Sequence, residues 1–218
     1  MKNYLKLAAE FVREGWHAHL RNNESQLARM LRKRVLHTPC MIDTGVIITA
    51  PDRFEAGSGT ALYHGVYILN GKGRFALGAH SHLGAGCYVN VQFGNLTIGE
   101  GTAIGPHTQI IVYSNHYAPA SRIVDQRLTA DVTIGSNVFI GANCTILPGS
   151  RIADNVIVGA NTLVRGELHS DSIYAGTPCR LISSGWYSGN TKPKDSLDSS
   201  MTVLASPSAP SKIPSSHD

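Results

Sequence analysis

From Ile134 to His169 the chain repeats in sixes: Ile134-Gly-Ser-Asn-Val-Phe, Ile140-Gly-Ala-Asn-Cys-Thr, Ile146-Leu-Pro-Gly-Ser-Arg, Ile152-Ala-Asp-Asn-Val-Ile, Val158-Gly-Ala-Asn-Thr-Leu and Val164-Arg-Gly-Glu-Leu-His. A branched aliphatic opens each six, and the fourth place is Asn or Gly in five of the six. The fifth place holds Val138, Cys144, Ser150, Val156, Thr162 and Leu168, all small or apolar. This spacing predicts short strands joined by tight turns. Gly lacks a Cβ and Asn bonds to its own backbone, so both suit turns that need a left-handed residue. Three sixes close one triangular coil, and coils stack at the spacing of neighbouring strands, about 4.8 Å. The predicted fold is mainly β, a parallel β-helix.

The same register runs upstream. Leu77, Leu83 and Val89 open one coil; after three extra residues, Ile98, Ile104 and Ile110 open another, which closes just before His116. Residues 116–133 break the pattern, carry Pro119 and are predicted to be a loop thrown out from the coil, where chemistry tends to sit. Residues 41–76 alternate less cleanly, with Val46, Ile47, Ile48, Val66, Ile68 and Leu69, and read as one or two degenerate first coils.

The ends differ in kind. Leu5, Ala8, Ala9, Val12, Trp16 and Leu20 form an apolar stripe at helical spacing. Asn23 with Gln26 resembles a capping box before Leu27, Met30 and Leu31, and Pro39 ends that stretch. The expected organisation is therefore a helical segment over 1–38, a β-helix over 39–185 and a disordered tail over 186–218, rich in Ser, Pro, Lys and Asp. The helical segment reads as a cap over the open end of the coil or as packing for a neighbouring subunit.

Charge sharpens this division. The net charge is +4, and the excess is all N-terminal: residues 1–37 hold eight Lys/Arg against three Asp/Glu. Arg29, Arg32, Lys33 and Arg34 are candidates for peripheral contact with an anionic membrane surface. No apolar run has the length of a span, and Glu10, Arg13 and Glu14 fall where a secretory signal would need its apolar core, so the expected location is the cytoplasm, including the inner face of the membrane. The four cysteines, at 40, 87, 144 and 179, show no metal spacing and read as buried thiols.

The hexads, the Ser114-Asn115-His116 step into the loop, the run Asn137-Val-Phe-Ile-Gly141 and the closing Ala175-Gly-Thr-Pro-Cys-Arg180 together resemble the hexapeptide-repeat acetyltransferases. Within that family they are most similar to galactoside, maltose and polysaccharide O-acetyltransferases, over about residues 77–182. The resemblance implies a left-handed coil, a homotrimer with active sites between subunits, and acetyl-CoA as co-substrate. It makes His116 the general base that activates an acceptor hydroxyl for direct attack on the thioester, a task suited to an imidazole with a pKa near 6.5.

By the same resemblance, Asn90 in the Tyr88-Val89-Asn90 step helps hold the acceptor or the developing oxyanion, and the Ala142 backbone N–H is a second donor. Phe139 stands where the family often has Trp. A carboxylate that orients the imidazole is Asp125 or Asp131, with Asp125 preferred. Gly141, Ala142 and Ala160 lend backbone groups to the pantetheine arm, while Arg165, Thr177 and Arg180 meet the nucleotide phosphate. The acceptor is expected to be a saccharide or surface-polysaccharide precursor; nucleic acid is not an expected partner. Two rivals remain, N-acetylation of an amino sugar and a non-catalytic assembly module. His80, His82 and His107 raise a third, the zinc β-helix of γ-class carbonic anhydrases, but they miss that family's pattern and no metal is expected.

Overall fold

The computed structural model describes residues 40–115, 119, 122–190 and the backbone of 192–193. The expected N-terminal helices, His116 and the end of the expected tail lie outside the described residues. Within them the chain winds through three sheets in rotation, and consecutive strands never pair except in two places noted below. Face one stacks Met41–Ile42, Ala61–Leu62, His82–Leu83, Ala103–Ile104, Phe139–Ile140, Val156–Val158 and Ser172–Ala175. Face two stacks Ile47–Ile48, Tyr67–Leu69, Tyr88–Asn90, Gln109–Ile111, Thr145–Ile146 and Leu163–Val164; face three runs from Phe54–Ala56 through Val132–Ile134 to Glu167–Leu168. All these pairings are parallel, which makes the fold a three-sided parallel β-helix.

The hexad explains the packing. Its first residue points inward: Ile134, Ile140, Ile146, Ile152, Val158 and Val164 are all buried, each removing an aliphatic side chain from water for roughly 1.5–3 kcal/mol. The fifth place also points inward, and there Ser and Thr are tolerated because their hydroxyls reach backbone carbonyls. Ser150 donates to Leu147 O at 2.7 Å and Thr162 to Gly159 O at 2.7 Å. The fourth place turns the corner with a positive φ, at Asn137, Asn143, Gly149, Asn155 and Asn161 alike. The second place is small because coils approach closely: a Cβ on Gly141 would lie 2.5 Å from the backbone N of Ala160.

The three extra residues read between the coils at Leu77 and Ile98 recur upstream, and one sequence expectation changes. The early coils are three residues longer than the late ones, since Leu62, Leu83 and Ile104 stack at intervals of 21 while Ile140 and Val158 are 18 apart. The extra residues bulge at the corner between faces two and three, near 71–73 and 92–94. Asn70 anchors the first bulge, fully buried, accepting from Ala50 N–H at 2.7 Å and donating to Ala50 O at 2.6 Å. This insertion blurred the alternation in 41–76.

The departure from the coil begins earlier than expected. Tyr113–Asn115 was expected to finish a hexad; instead it leaves the coil and pairs antiparallel with Arg127–Thr129, and the coil resumes at Val132–Ile134. At the far end Arg180–Ser184 folds back antiparallel on Ser172–Ala175, followed by Lys192–Pro193. Residues 186–190, placed with the tail by composition, are held there by Trp186, whose Nε1 donates to Asn155 O at 2.8 Å, and by Asp171, which accepts from the Tyr187 and Ser188 N–H groups. No helix among the described residues is long and apolar enough to cross a membrane.

Candidate active site

Face two is bordered by two corners of different chemistry. The corner toward face one carries Gly141-Ala142-Asn143 and, one coil on, Gly159-Ala160-Asn161. Ala142 O accepts from Asn161 N–H at 2.9 Å, and Asn161 O accepts from the Thr177 hydroxyl at 3.0 Å, so Ala142, Ala160 and Thr177 lie on one ridge. The N–H groups of Ala142 and Ala160 have no hydrogen-bond partner among the described residues. Below them Pro106 occupies the equivalent place and has no N–H to offer. The ridge therefore presents successive free donors with a hydroxyl above them.

Phe139 lies on face one beside this ridge, pairing with Ala103 and Ile157, and is 50% exposed. Arg180 opens the returning strand three residues after Thr177, exposed and without a carboxylate partner among the described residues. Arg165 does not join them. It sits at the next corner, between Val164 of face two and Glu167 of face three, where Arg151 N–H donates to Gly166 O.

That second corner is the one from which the ribbon leaves, at Val112, and to which it returns, with Ala130 N–H donating to Val112 O at 2.9 Å. Phe93 secures its base: the Tyr113 ring meets it edge-on at 4.9 Å, and the Arg127 guanidinium lies 4.4 Å from its centroid. Asn115, paired with Arg127, directly precedes His116 in the chain. Of the two candidate carboxylates, Asp131 accepts both N–H and Nδ2–H of Asn95 and so holds the bulged corner together. Asp125, in a 3-10 turn over Ile123–Asp125, pairs with Arg122 at 2.7 Å near the surface.

Asn90 belongs to the central strand of face two and shares its outer side with Tyr88, yet it is only 6% exposed. Its Nδ2 donates to the Tyr88 hydroxyl at 3.0 Å, and its Oδ1 accepts from Gln92 N–H at 3.2 Å. Tyr88 in turn stacks on Tyr67, with centroids 5.9 Å apart. Sequence reasoning singled out Asn90 but missed these partners, although the Tyr-x-Asn spacing puts both side chains on one face of a strand.

The remaining titratable groups are dispersed. His80 and His107 take the left-handed corner position, with φ of 57° each, and are exposed. His82 is on face one against Tyr63, and burial lowers its pKa. No group of three or more His, Cys, Asp or Glu side chains suited to a metal occurs among the described residues. Cys87 and Cys144 point into the core; burial pushes Cys87 up to about 11 and raises Cys144 as well, which keeps both thiols protonated and unreactive.

The family described as bacterial transferase hexapeptide (six repeats) matches residues 131–166. The galactoside O-acetyltransferase of Escherichia coli is 32% identical over 50% of this chain, and the match spans only 56% of that protein. A second Escherichia coli protein, WbbJ, which carries the name of a lipopolysaccharide biosynthesis O-acetyl transferase, is 30% identical over 68% of this chain and 78% of its own length. Among solved structures, AntD, an N-acyltransferase from Bacillus cereus in complex with dTDP and 3-hydroxybutyryl-CoA, superimposes with a TM-score of 0.64 at 21% identity, over 75% of this chain and 90% of that one. The repeat, its three-sided coil and the extent of the WbbJ match together place this chain in the hexapeptide-repeat acetyltransferase family.

Proposed function

We propose that this chain is an acetyl-CoA-dependent O-acetyltransferase that acetylates a hydroxyl of a saccharide, such as a precursor of a surface polysaccharide. The observation that carries the reading is the match to WbbJ along 78% of that protein, with galactoside O-acetyltransferase similar over its repeat region. The ridge chemistry supports it. The free N–H donor at Ala160 suits an amide carbonyl of a pantetheine arm, the one at Ala142 suits the thioester oxygen, and Thr177 and Arg180 beyond them suit a phosphate. Gly141 lets the coils close beneath the arm, and Phe139 offers it an apolar flank.

In this reading His116 takes the proton of the acceptor hydroxyl. The oxygen attacks the thioester carbonyl, the Ala142 N–H and Asn90 amide stabilise the developing negative charge, and the coenzyme A thiolate leaves and recovers the proton from His116. Asp125 orients the imidazole by releasing Arg122. Arg165, on the ribbon corner, meets the nucleotide of a coenzyme bound on a neighbouring chain.

The ribbon and the donor ridge occupy opposite edges of face two, which supports a site composed between chains, in a homotrimer of left-handed coils. The basic residues Arg29, Arg32, Lys33 and Arg34 supply peripheral contact with the inner face of the membrane, and the β-helix unit extends past residue 185 to include the hairpin that ends in Lys192–Pro193. Incubation with radiolabelled acetyl-CoA and a panel of methyl galactoside, maltose and glucosamine tests the activity. Alkali-labile label on a sugar is the expected product, and an alkali-stable amide would replace O- by N-acetylation. His116→Ala should lower kcat at least a hundred-fold, in the range of lost general-base catalysis, with acetyl-CoA KM little changed; undiminished turnover would remove His116 from the mechanism.

A further inference from the structure

The Asn90 amide is one of ten buried polar side chains among the described residues, and it is on the outer side of its strand rather than the inner. Its two bonds settle which way it faces. Gln92 N–H can only donate, so the atom toward it is Oδ1, and the nitrogen must face Tyr88. The Tyr88 oxygen accepts from Nδ2 and keeps its own proton. An amide has two N–H donors, so one remains after the bond to Tyr88. Tyr67 stacks on the Tyr88 ring at an interplanar angle of 28°, and the parallel ladder Tyr67, Tyr88, Gln109 fixes where that ring can be.

We infer that Tyr88 is a positioning residue: its hydroxyl fixes the Asn90 amide so that the second N–H is held toward the bound acceptor, and Tyr67 holds the Tyr88 ring in place for that purpose. Without the hydroxyl, only the Gln92 bond restrains Asn90. The amide can then rotate about χ1 and χ2, and its free donor is no longer preorganised. The inference rests on the acetyl-transfer reading for its effect on rate, but not for the hydrogen bond itself.

Tyr88→Phe removes one oxygen and keeps the ring. In transfer from acetyl-CoA to methyl galactoside or maltose, it should lower kcat about ten-fold, the scale of one net hydrogen bond, and leave the acetyl-CoA KM unchanged. Asn90→Ala should cost more, and adding Tyr88→Phe to it should cost nothing further, because Tyr88 acts only through Asn90. Wild-type kcat in Tyr88→Phe, or additive losses in the double variant, would overturn the inference.

A second readout needs no acceptor. In NMR spectra the Asn90 side-chain amide, assigned by its loss in Asn90→Ser, should show one slowly exchanging Nδ2–H that becomes fast in Tyr88→Phe. Unchanged exchange overturns the positioning role. Slow exchange lost on substitution, together with no transfer to any acceptor, would sustain the positioning role and count against the acetyl-transfer reading alone.

Discussion

At the corners of the coil one backbone angle decides which residue is allowed. Asn161, with φ of 57°, occupies a conformation that costs an ordinary L-residue roughly 1–2 kcal/mol. Asn161→Gly should therefore fold with near wild-type stability in urea, whereas Asn161→Val should lose at least about 1–2 kcal/mol, since branching at Cβ adds to the strain. Equal midpoints for the two variants would show that the corner angle is not what selects Asn. Two places earlier in the turn, size matters more than angle. A Cβ at Gly141 would meet backbone rather than a movable side chain, so Gly141→Ala should destabilise more than Ala142→Gly. Corner and core residues were legible in the sequence because each answers to a local rule, the left-handed turn or the inward aliphatic, repeated until it could not be missed.

Elements that interrupt the repeat were less legible. The ribbon Tyr113–Asn115 with Arg127–Thr129 begins with residues that satisfy the hexad, Ile110 and Val112, and only a long-range antiparallel pairing pulls the next three out of register. No local signal marks that exit. Phe93 holds the ribbon at its base, so Phe93→Leu should lower transfer by several-fold while Phe93→Tyr retains it, because an exposed cation–π contact is worth about 0.5–1 kcal/mol. A steady-state comparison of kcat checks this, and equal rates in the two variants would mean the contact does not matter.

The returning C-terminal strand was similarly hidden by composition, since polar and small residues pack there through hydrogen bonds rather than apolar area. Its link to the coil is pH-sensitive. Hydrogen bonds from the Ser188 side chain, then from the Tyr187 and Ser188 N–H groups, hold the Asp171 carboxyl below its ordinary value of 3.8. A depressed carboxylate stabilises the folded hairpin fully above the unfolded pKa, and that contribution is lost as pH falls from about 4 through the lower folded pKa. In a Trp16→Phe background, Trp186 fluorescence should report hairpin release in that acid window, and Asp171→Asn should show it already at neutral pH. A signal flat down to the same pH in both would contradict the link.

At the scale of the whole molecule, the coil was legible in the hexad register, which stacks Ala142 and Ala160 on one corner, while Thr177 lies beyond the hexads and stood out only through the resemblance of the closing Ala175-Gly-Thr-Pro-Cys-Arg180 run. Arg165 falls at a different corner of the triangle from Ala142, Ala160 and Thr177, a separation that matching residues one by one along the chain does not reveal. Asn90 stood out in the sequence, but its partners Tyr88 and Tyr67 did not, because their stacking appears only when strands 21 residues apart lie side by side. The central claim is that the ridge from Ala142 through Thr177 holds acetyl-CoA, and calorimetric titration of acetyl-CoA into the wild type, Arg180→Ala and Arg165→Ala tests it without any acceptor. The account predicts saturable binding by the wild type, weakened about ten-fold or more in each variant, as expected for loss of a charged hydrogen bond to phosphate. Absence of binding at millimolar acetyl-CoA, or equal affinity in all three proteins, would contradict it.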